Sequence, residues 1–87
     1  MKSKAYACGV SDIVTLDALI PYTTCYIYVA SAGDIVFLNT NGQNQFFSNA
    51  GVGYHPLRAI RVLSSGIVNG VARTTSATDM TYLASID

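Results

Sequence analysis

One histidine, two cysteines and five aspartates are the residues of this 87-residue chain whose types could support acid–base, nucleophilic or metal chemistry. A hydrolytic triad requires a histidine held between a nucleophile and an acid. His55 is flanked by Tyr54 and Pro56, and no nucleophile motif surrounds it. We therefore interpret His55 as a loop residue whose ring is hydrogen-bonded to the backbone.

The cysteines and aspartates form no catalytic pattern either. Cys8 and Cys25 could form a disulfide, but thiols of cytosolic proteins are usually reduced, and Cys25 within a strand fits a small buried apolar side chain. Zinc ligands are closely spaced, and glycosidases need two acids that face each other. We expect no catalytic residue, metal or cofactor. The scattered aspartates are Asp12, Asp17, Asp34, Asp79 and Asp87.

The charge balance argues against two further classes of function. Five Lys and Arg residues balance five Asp residues, so the net charge is zero and no basic patch for a nucleic acid is expected. No apolar run reaches the roughly 18 residues of a transmembrane helix. Asp12 and Asp17 also interrupt the segment where a signal peptide would lie. We expect an unexported protein made in the cytoplasm, with no nucleic-acid or membrane partner.

The small size and low charge favour a subunit of an assembly. The whole chain, 1–87, is one domain at most, and a chain this small is marginally stable alone. Charged residues make up 11%, against about 25% in average soluble domains. Six tyrosines accompany this low charge, and tyrosine is enriched at interfaces. A homo-oligomer is expected; the alternative is a monomer solvated by Ser, Thr and Asn.

The spacing of turn residues predicts an all-β fold. Glycine, proline and asparagine recur every ten or so residues, which is typical of a small antiparallel β-sandwich or barrel, jelly-roll-like and with little or no helix. Asn41-Gly42 predicts a two-residue type I′ hairpin turn. Predicted strands are 24–30, 34–40, 43–48 and 57–64, with weaker ones at 67–71 and 80–84; 31–33 is a predicted turn, 49–55 and 73–79 are predicted loops, and 13–19 is a short strand or helical turn.

Alternation within the strands assigns their faces. Thr24, Tyr26 and Tyr28 share one face, so Cys25, Ile27 and Val29 are expected to face the core. The continuous apolar run 35–38 suits a strand covered on both faces, one of them by a neighbouring subunit.

Two arginines in the strand at 57–64 are candidates for interface contacts. Arg58 and Arg61 lie on opposite faces, and arginine is the usual choice for interface ion pairs. We expect pairing with an aspartate, within the chain or between subunits, and Asp34 is the candidate; the alternative is that both arginines extend to water. Asp34 at a strand start also suits a turn-stabilising role.

Several short motifs follow one another through the chain. They are Tyr28-Val29, Gly33-Asp34-Ile35-Val36, Asn41-Gly42, Phe46-Phe47, Val52-Gly53, Pro56-Leu57-Arg58-Ala59-Ile60-Arg61-Val62-Leu63 with Gly66, and Thr74-Thr75-Ser76-Ala77. In this order they resemble the small head-spike base proteins of tailed bacteriophages and phage-derived gene transfer agents. The resemblance covers residues 26–85, with 67–73 as an insertion, and residues 1–25 have no counterpart.

The resemblance implies a non-enzymatic virion structural protein. Such a subunit is a small β domain that self-associates, sits on the capsid surface against the major capsid protein, and often carries a fibre protein. Residues 1–23 would be an N-terminal extension or arm contacting a partner. Candidate interface residues are Arg58, Arg61, Asp34, Tyr26, Tyr28 and Tyr54.

Two alternatives to a capsid decoration or spike base remain open. One is a small tail, adaptor or baseplate subunit, which the sequence does not separate from the first. The other is a glycan-binding β module that stacks sugars on exposed rings, for which Tyr22, Tyr28 and Tyr54 are the candidates.

Overall fold

A computed structural model of the chain describes residues 8–85 and confirms the all-β class. This part of the chain contains strands and turns, and no helix in it is long and apolar enough to cross a membrane. The strands are β1 (Val10–Ile13), β2 (Thr23–Ser31), β3 (Gly33–Asn39), β4 (Asn44–Ala50), β5 (Gly53–His55), β6 (Ala59–Leu63), β7 (Ser65–Val68), β8 (Val71–Thr74) and β9 (Thr78–Ser85).

Two long bent strands connect the two main sheets. The four-stranded sheet has the order β1-β9-β2-β5, and the three-stranded sheet has the order β4-β3-β6. Since β3 pairs with β4 and β2 pairs with β5, both antiparallel, residues 23–39 and 44–55 form one long hairpin that bends from one sheet into the other. The predicted turn at 31–33 is therefore this bend, and the predicted loop at 49–55 is mostly strand.

The two Asn-Gly pairs make different turns. In the β3–β4 hairpin only Gly42 of the pair has positive φ (79°), and Asn39 accepts a backbone hydrogen bond from Gly42 of 3.0 Å. This is a three-residue loop with a bulge, so the predicted type I′ turn is wrong here. Asn69 and Gly70 have φ of 50° and 80°, and their pair makes the primed turn of the β7–β8 hairpin. That turn divides the predicted strand 67–71.

The core lies between the two sheets. Ile27 and Val29 of β2 are fully buried against Ile35 of β3 and Val62 of β6. β3 is covered on both faces, as its apolar run predicts. Its second cover, over Val36, comes from the chain's own β7–β8 hairpin, because a Cβ on Gly66 would lie 3.5 Å from the Val36 side chain. A neighbouring subunit is not needed for this purpose.

Bulges shift two of the predicted faces. The register of β2 against β9 changes between Thr24 and Tyr26, so Thr24 is buried and Cys25 is only half-buried. The Thr24 hydroxyl donates to the Ala59 carbonyl (3.0 Å) and accepts from the Ala59 N–H (2.8 Å). In β6 a similar irregularity places both Ala59 and Val62 in the core. Strict alternation therefore assigned Thr24 and Cys25 to the wrong faces.

The cysteines form a disulfide, which joins Cys8, before β1, to Cys25 in β2. The expectation of a reduced, buried thiol at Cys25 is therefore wrong, because the bulge in β2 brings this residue out of the core and within reach of Cys8.

Most of the expected N-terminal arm belongs to the folded domain. β1 pairs with β9, and Ile20 is buried and donates its N–H to the Ile60 carbonyl in β6. Residues 1–7 of that arm lie outside the described part of the chain. The expectation of an arm at 1–23 rests on the lack of a counterpart for residues 1–25 in the resembled phage proteins, and its contact with a partner stays a prediction.

Candidate functional site

The outward side of the four-stranded sheet carries two neighbouring rows of uncharged side chains, which we call the tyrosine face. Because Ile27 and Val29 are buried, Tyr26 and Tyr28 of β2 point outward. The pairing of β2 with its neighbouring strands then determines which side chains lie beside them. Ile13, Thr81, Tyr28 and Tyr54 make one row across the sheet, and Ser11, Leu83 and Tyr26 make the next.

Three tyrosine rings of this face pack against one another. The Tyr26 and Tyr54 ring centroids are 6.2 Å apart with an interplanar angle of 79°, and those of Tyr28 and Tyr54 are 4.9 Å apart at 60°. Tyr26, Tyr54 and Leu83 line an apolar recess of about 300 Å³. Tyr54 is 60% exposed and Ile13 is 70% exposed. Because edge-to-face rings hold one another in place, the face presents apolar area with little rotamer entropy to lose on binding.

The tyrosine face offers aromatic rings and hydrogen-bonding groups to a partner. Its polar groups are phenols and hydroxyls, and His55, its neighbour on β5, points to the opposite side of the sheet. There the His55 ring packs on Phe47 with centroids 5.2 Å apart, and its Nε2 lies 2.7 Å from the Gly51 carbonyl oxygen. The predicted backbone hydrogen bond of His55 is confirmed. Between residues 8 and 85, no three His, Cys, Asp or Glu side chains form a group that could hold a metal ion.

Asp34 has a structural role. Its Oδ1 accepts the N–H of Asn49 (2.8 Å), a bulge residue with φ of 56°, and its own N–H donates to the Ser76 hydroxyl (2.8 Å). This differs from the predicted turn-stabilising role, because the carboxylate accepts from a residue 15 positions later in the chain. The carboxylate holds β4 at a bulge rather than closing a local turn.

The arginines do not meet Asp34 within residues 8–85. Arg58 is exposed, whereas Arg61 is half-buried and its Nε is buried without a hydrogen-bond partner. The positive charge of Arg61 acts on a different carboxylate, that of Asp17. Pairing of Arg58 with an aspartate of another subunit stays a prediction.

Asp17 anchors the segment after β1. The Ser64 N–H donates to its Oδ1 (2.9 Å), and this bond, more than the Ser64 hydroxyl or the Arg61 charge, holds the pKa of Asp17 below its ordinary value. Asp17 also donates its own N–H to the Val62 carbonyl (2.7 Å) at a φ of 68°. These bonds cover the outer edge of β6.

A second recess of about 270 Å³ opens between β1 and the segment 15–22, beside Asp12, Tyr22 and Tyr82. Burial, followed by the charge of Asp12 and the neighbouring Tyr22, raises the pKa of Tyr82. The phenol therefore stays neutral beside the carboxylate.

Sequence reasoning found part of the tyrosine face. Alternation in β2 predicts Tyr26 and Tyr28 on one face, but the two nearby glycines, Gly51 and Gly53, favour a loop at Tyr54 and conceal β5. Ile13 and Leu83 were missed because β1 and β9 are weakly patterned. The contact of Arg73 with the Phe46 ring, 4.5 Å from its centroid, was also missed, since it depends on the β7–β8 hairpin folding over β4.

No family model, no curated protein and no solved structure matches this chain.

Proposed function

We propose that this chain is a non-enzymatic structural subunit of a phage particle, a capsid decoration or head-spike base subunit that self-associates and docks on the capsid. The observation that carries the proposal is the tyrosine face, with its two neighbouring rows of uncharged side chains on a small domain. Exposed apolar patches of this kind mark interaction sites in soluble proteins.

The energetics of the face suit repeated docking. Burying one large side chain contributes about 1.5–3 kcal/mol. Tyr26, Tyr54 and Ile13 offer several such contributions without the desolvation cost of a charge. Copies held together in an oligomer gain further through their high effective concentration. The proposed partner is therefore an uncharged, apolar patch on the major capsid protein, with a fibre protein as a further partner at the outer side.

The sequence resemblance supports the choice of a virus particle. Its most distinctive run, Pro56–Leu63, forms the corner after β5 and then β6. The Thr74–Ala77 motif crosses β3, where Ser76 and Ala77 both donate to the Asp34 carbonyl. These motifs thus lie where the chain turns or crosses between strands of the two sheets. A family's fold would constrain the sequence at such positions.

Particle purification tests the proposal. In the organism that encodes the chain, particles are induced, separated by density and analysed by mass spectrometry. We expect the chain in the DNA-filled particle fraction at many copies per particle, and particle reconstruction to place it on the capsid surface. Absence from purified particles contradicts the proposal, and a position on the tail or baseplate favours the tail-subunit alternative.

A matched pair of variants tests the tyrosine face. We expect Tyr26→Ser with Tyr54→Ser to reduce incorporation at least about tenfold, since a loss of 1.4 kcal/mol already changes an equilibrium constant by that factor. Val71→Ser removes an exposed apolar side chain from β8, away from the face, and serves as the control. Equal incorporation of both variants would show that docking uses another surface.

The recess beside Tyr54 favours one second candidate, a glycan-binding module. Tyr26 and Tyr54 offer two rings at an angle around an apolar recess, onto which a sugar ring can stack. Titration of the isolated domain with oligosaccharides at millimolar concentration tests it. Shifts of the Tyr26 and Tyr54 ring resonances would support glycan binding, and unchanged spectra would remove it.

A further inference from the structure

We infer that two copies of this chain pair edge to edge along β4, antiparallel, around a two-fold axis beside Phe46. The inference deepens the self-association in the proposed function and uses a surface separate from the tyrosine face. It rests on the exposure, charge and backbone direction of β4.

β4 is the longest edge strand of the two main sheets in the described part of the chain, and the β7–β8 hairpin packs on one of its faces, where the Asn44 side chain donates to the Ile67 carbonyl (3.2 Å). β4 ends the three-stranded sheet, and its seven residues compare with four in β1 and three in β5, the edges of the other main sheet. The opposite edge of the three-stranded sheet, β6, is covered by residues 17–20.

This edge lacks the features that usually prevent strand pairing. Proteins protect edges with charges, prolines, short strands or covering loops. β4 carries no Asp, Glu, Lys, Arg or Pro, and no charged residue occurs anywhere in 35–57. Gln45, Ser48 and Asn49 are exposed along it. The side chains of β4 therefore add no charge to this edge. The guanidinium of Arg73, from the β7–β8 hairpin, lies over the Phe46 ring on one face of the sheet.

The direction of its backbone groups follows from a hydrogen bond on the far side of β3. The Val36 N–H donates to the Thr75 hydroxyl (2.8 Å), which lies toward β6, so the Val36 backbone points away from β4. Phe46 is the β4 residue opposite Val36. In an antiparallel ladder such a facing pair exchanges no hydrogen bond, so the Phe46 N–H and C=O point to the open side. By alternation along the strand, the N–H and C=O groups of Asn44 and Ser48 also point to the open side of β4.

This arrangement is complementary to itself. With the two-fold axis beside Phe46, that residue faces Phe46 of the partner subunit, and Ser48 faces Asn44 of the partner subunit. Each of the three facing pairs exchanges two bonds, which gives about six backbone hydrogen bonds. The result is one continuous six-stranded sheet. The outward-pointing backbone N–H and C=O groups are arranged symmetrically about Phe46, and the β4 side chains carry no charge. A second copy of the same strand matches this arrangement, so we take a second copy as the partner.

Charge placed on the edge tests the pairing. In sedimentation experiments from micromolar to millimolar protein, we expect the wild type to associate to a dimer, and Gln45→Lys with Ser48→Lys to weaken association at least about tenfold through like-charge repulsion. Ala72→Lys with Thr74→Lys places the same charge on exposed positions of β8 and should associate like the wild type. Far-UV circular dichroism establishes that all variants are folded.

Hydrogen exchange tests the register. The Phe46 and Ser48 amides should become protected as protein concentration rises, whereas the Gln45 and Phe47 amides, which bond to β3, should be protected throughout. A wild type that stays monomeric at millimolar concentration would overturn the inference, as would concentration-independent exchange at Phe46. Association that the tyrosine-face variant abolishes and the edge variant preserves would overturn the edge pairing and leave capsid docking standing.

Discussion

A single hydroxyl joins three segments of this domain. Thr75 Oγ1 accepts the N–H of Val36 (2.8 Å) and donates to the carbonyl of Leu63 (2.6 Å), while the Thr75 N–H donates to Ser64. The residue after β8 is thereby fixed to β3 and to the end of β6. Together with the contact of Arg73 on the Phe46 ring, these bonds hold the β7–β8 hairpin over the three-stranded sheet.

Thr75→Val is expected to lower the free energy of unfolding by about 1–3 kcal/mol, because the shape is kept while the partly buried Val36 N–H loses its acceptor. Chemical denaturation measures the change. Thr74→Val, at an exposed neighbouring position, is the control and should stay within about 0.5 kcal/mol of the wild type. Equal losses in the two variants would show that the effect comes from replacing a threonine hydroxyl in general and not from this hydrogen bond.

Asp17 makes stability depend on pH. Its folded-state pKa lies below the ordinary value of 3.8, so its carboxylate bonds stabilise the fold fully above that value and are lost as pH falls through the folded pKa. We expect the melting temperature of the wild type to fall more steeply than that of Asp17→Asn below pH 4. The asparagine keeps an acceptor oxygen and tolerates the positive φ of this position. Parallel melting curves for the two proteins between pH 2 and pH 7 would contradict this role.

At the scale of elements, the segment before β9 crosses the start of β3 at Gly33. A Cβ built on Gly33 would lie 2.4 Å from the backbone N of Ala77. Both residues belong to motifs that suggested the phage family, and their contact explains why a side chain is excluded there.

Gly33→Ala is expected to cost about 1–3 kcal/mol of unfolding free energy, because the added methyl group forces two backbone segments apart. Gly51→Ala is the matched control, since nothing lies within 4 Å of a Cβ at that position and its φ needs no glycine. Thermal unfolding of both variants measures the difference. A Gly33→Ala protein as stable as the control would show that the crossing has room to adjust.

Element prediction succeeded where the backbone is regular and failed at irregularities. β2, β3, β4 and β6 follow from alternation and from one Asn-Gly pair. The bulges at Thr24 and Asn49 and the irregularity in β6 do not, because each depends on a distant partner: the Ala59 backbone, the Asp34 carboxylate and the register against β3. The glycines near β5 favour a loop in the sequence prediction. Their spacing does not distinguish a loop from a bent strand, so β5 is missed.

The candidate site was predictable to the same extent. Tyr26 and Tyr28 lie next to each other by strand periodicity alone. Tyr54, Leu83 and Ile13 join them only through the order β1-β9-β2-β5, in which the first and last described strands of the chain are neighbours. No local pattern contains that order.

For the whole molecule, the disulfide compensates for a small core. The bond joins residues 17 positions apart, and loop closure on this scale restricts the unfolded chain by about 3 kcal/mol. We expect Cys8→Ser with Cys25→Ser to lose stability of this order in chemical denaturation. Dithiothreitol should weaken the wild type to the same degree and leave the double variant unchanged. Equal stability of oxidised and reduced wild type would contradict the expectation.

The charge-free stretch 35–57 has a consequence for the conditions under which the proposed assembly persists. Ions weaken contacts between exposed charges within about 10 Å at 0.1 M salt, but they screen neither apolar burial nor backbone pairing in the same way. Joints built on tyrosine rings and strand edges should hold equally in fresh water, brine and concentrated caesium salts. On the proposed function, a particle that leaves its host would pass from one medium to another without losing this subunit.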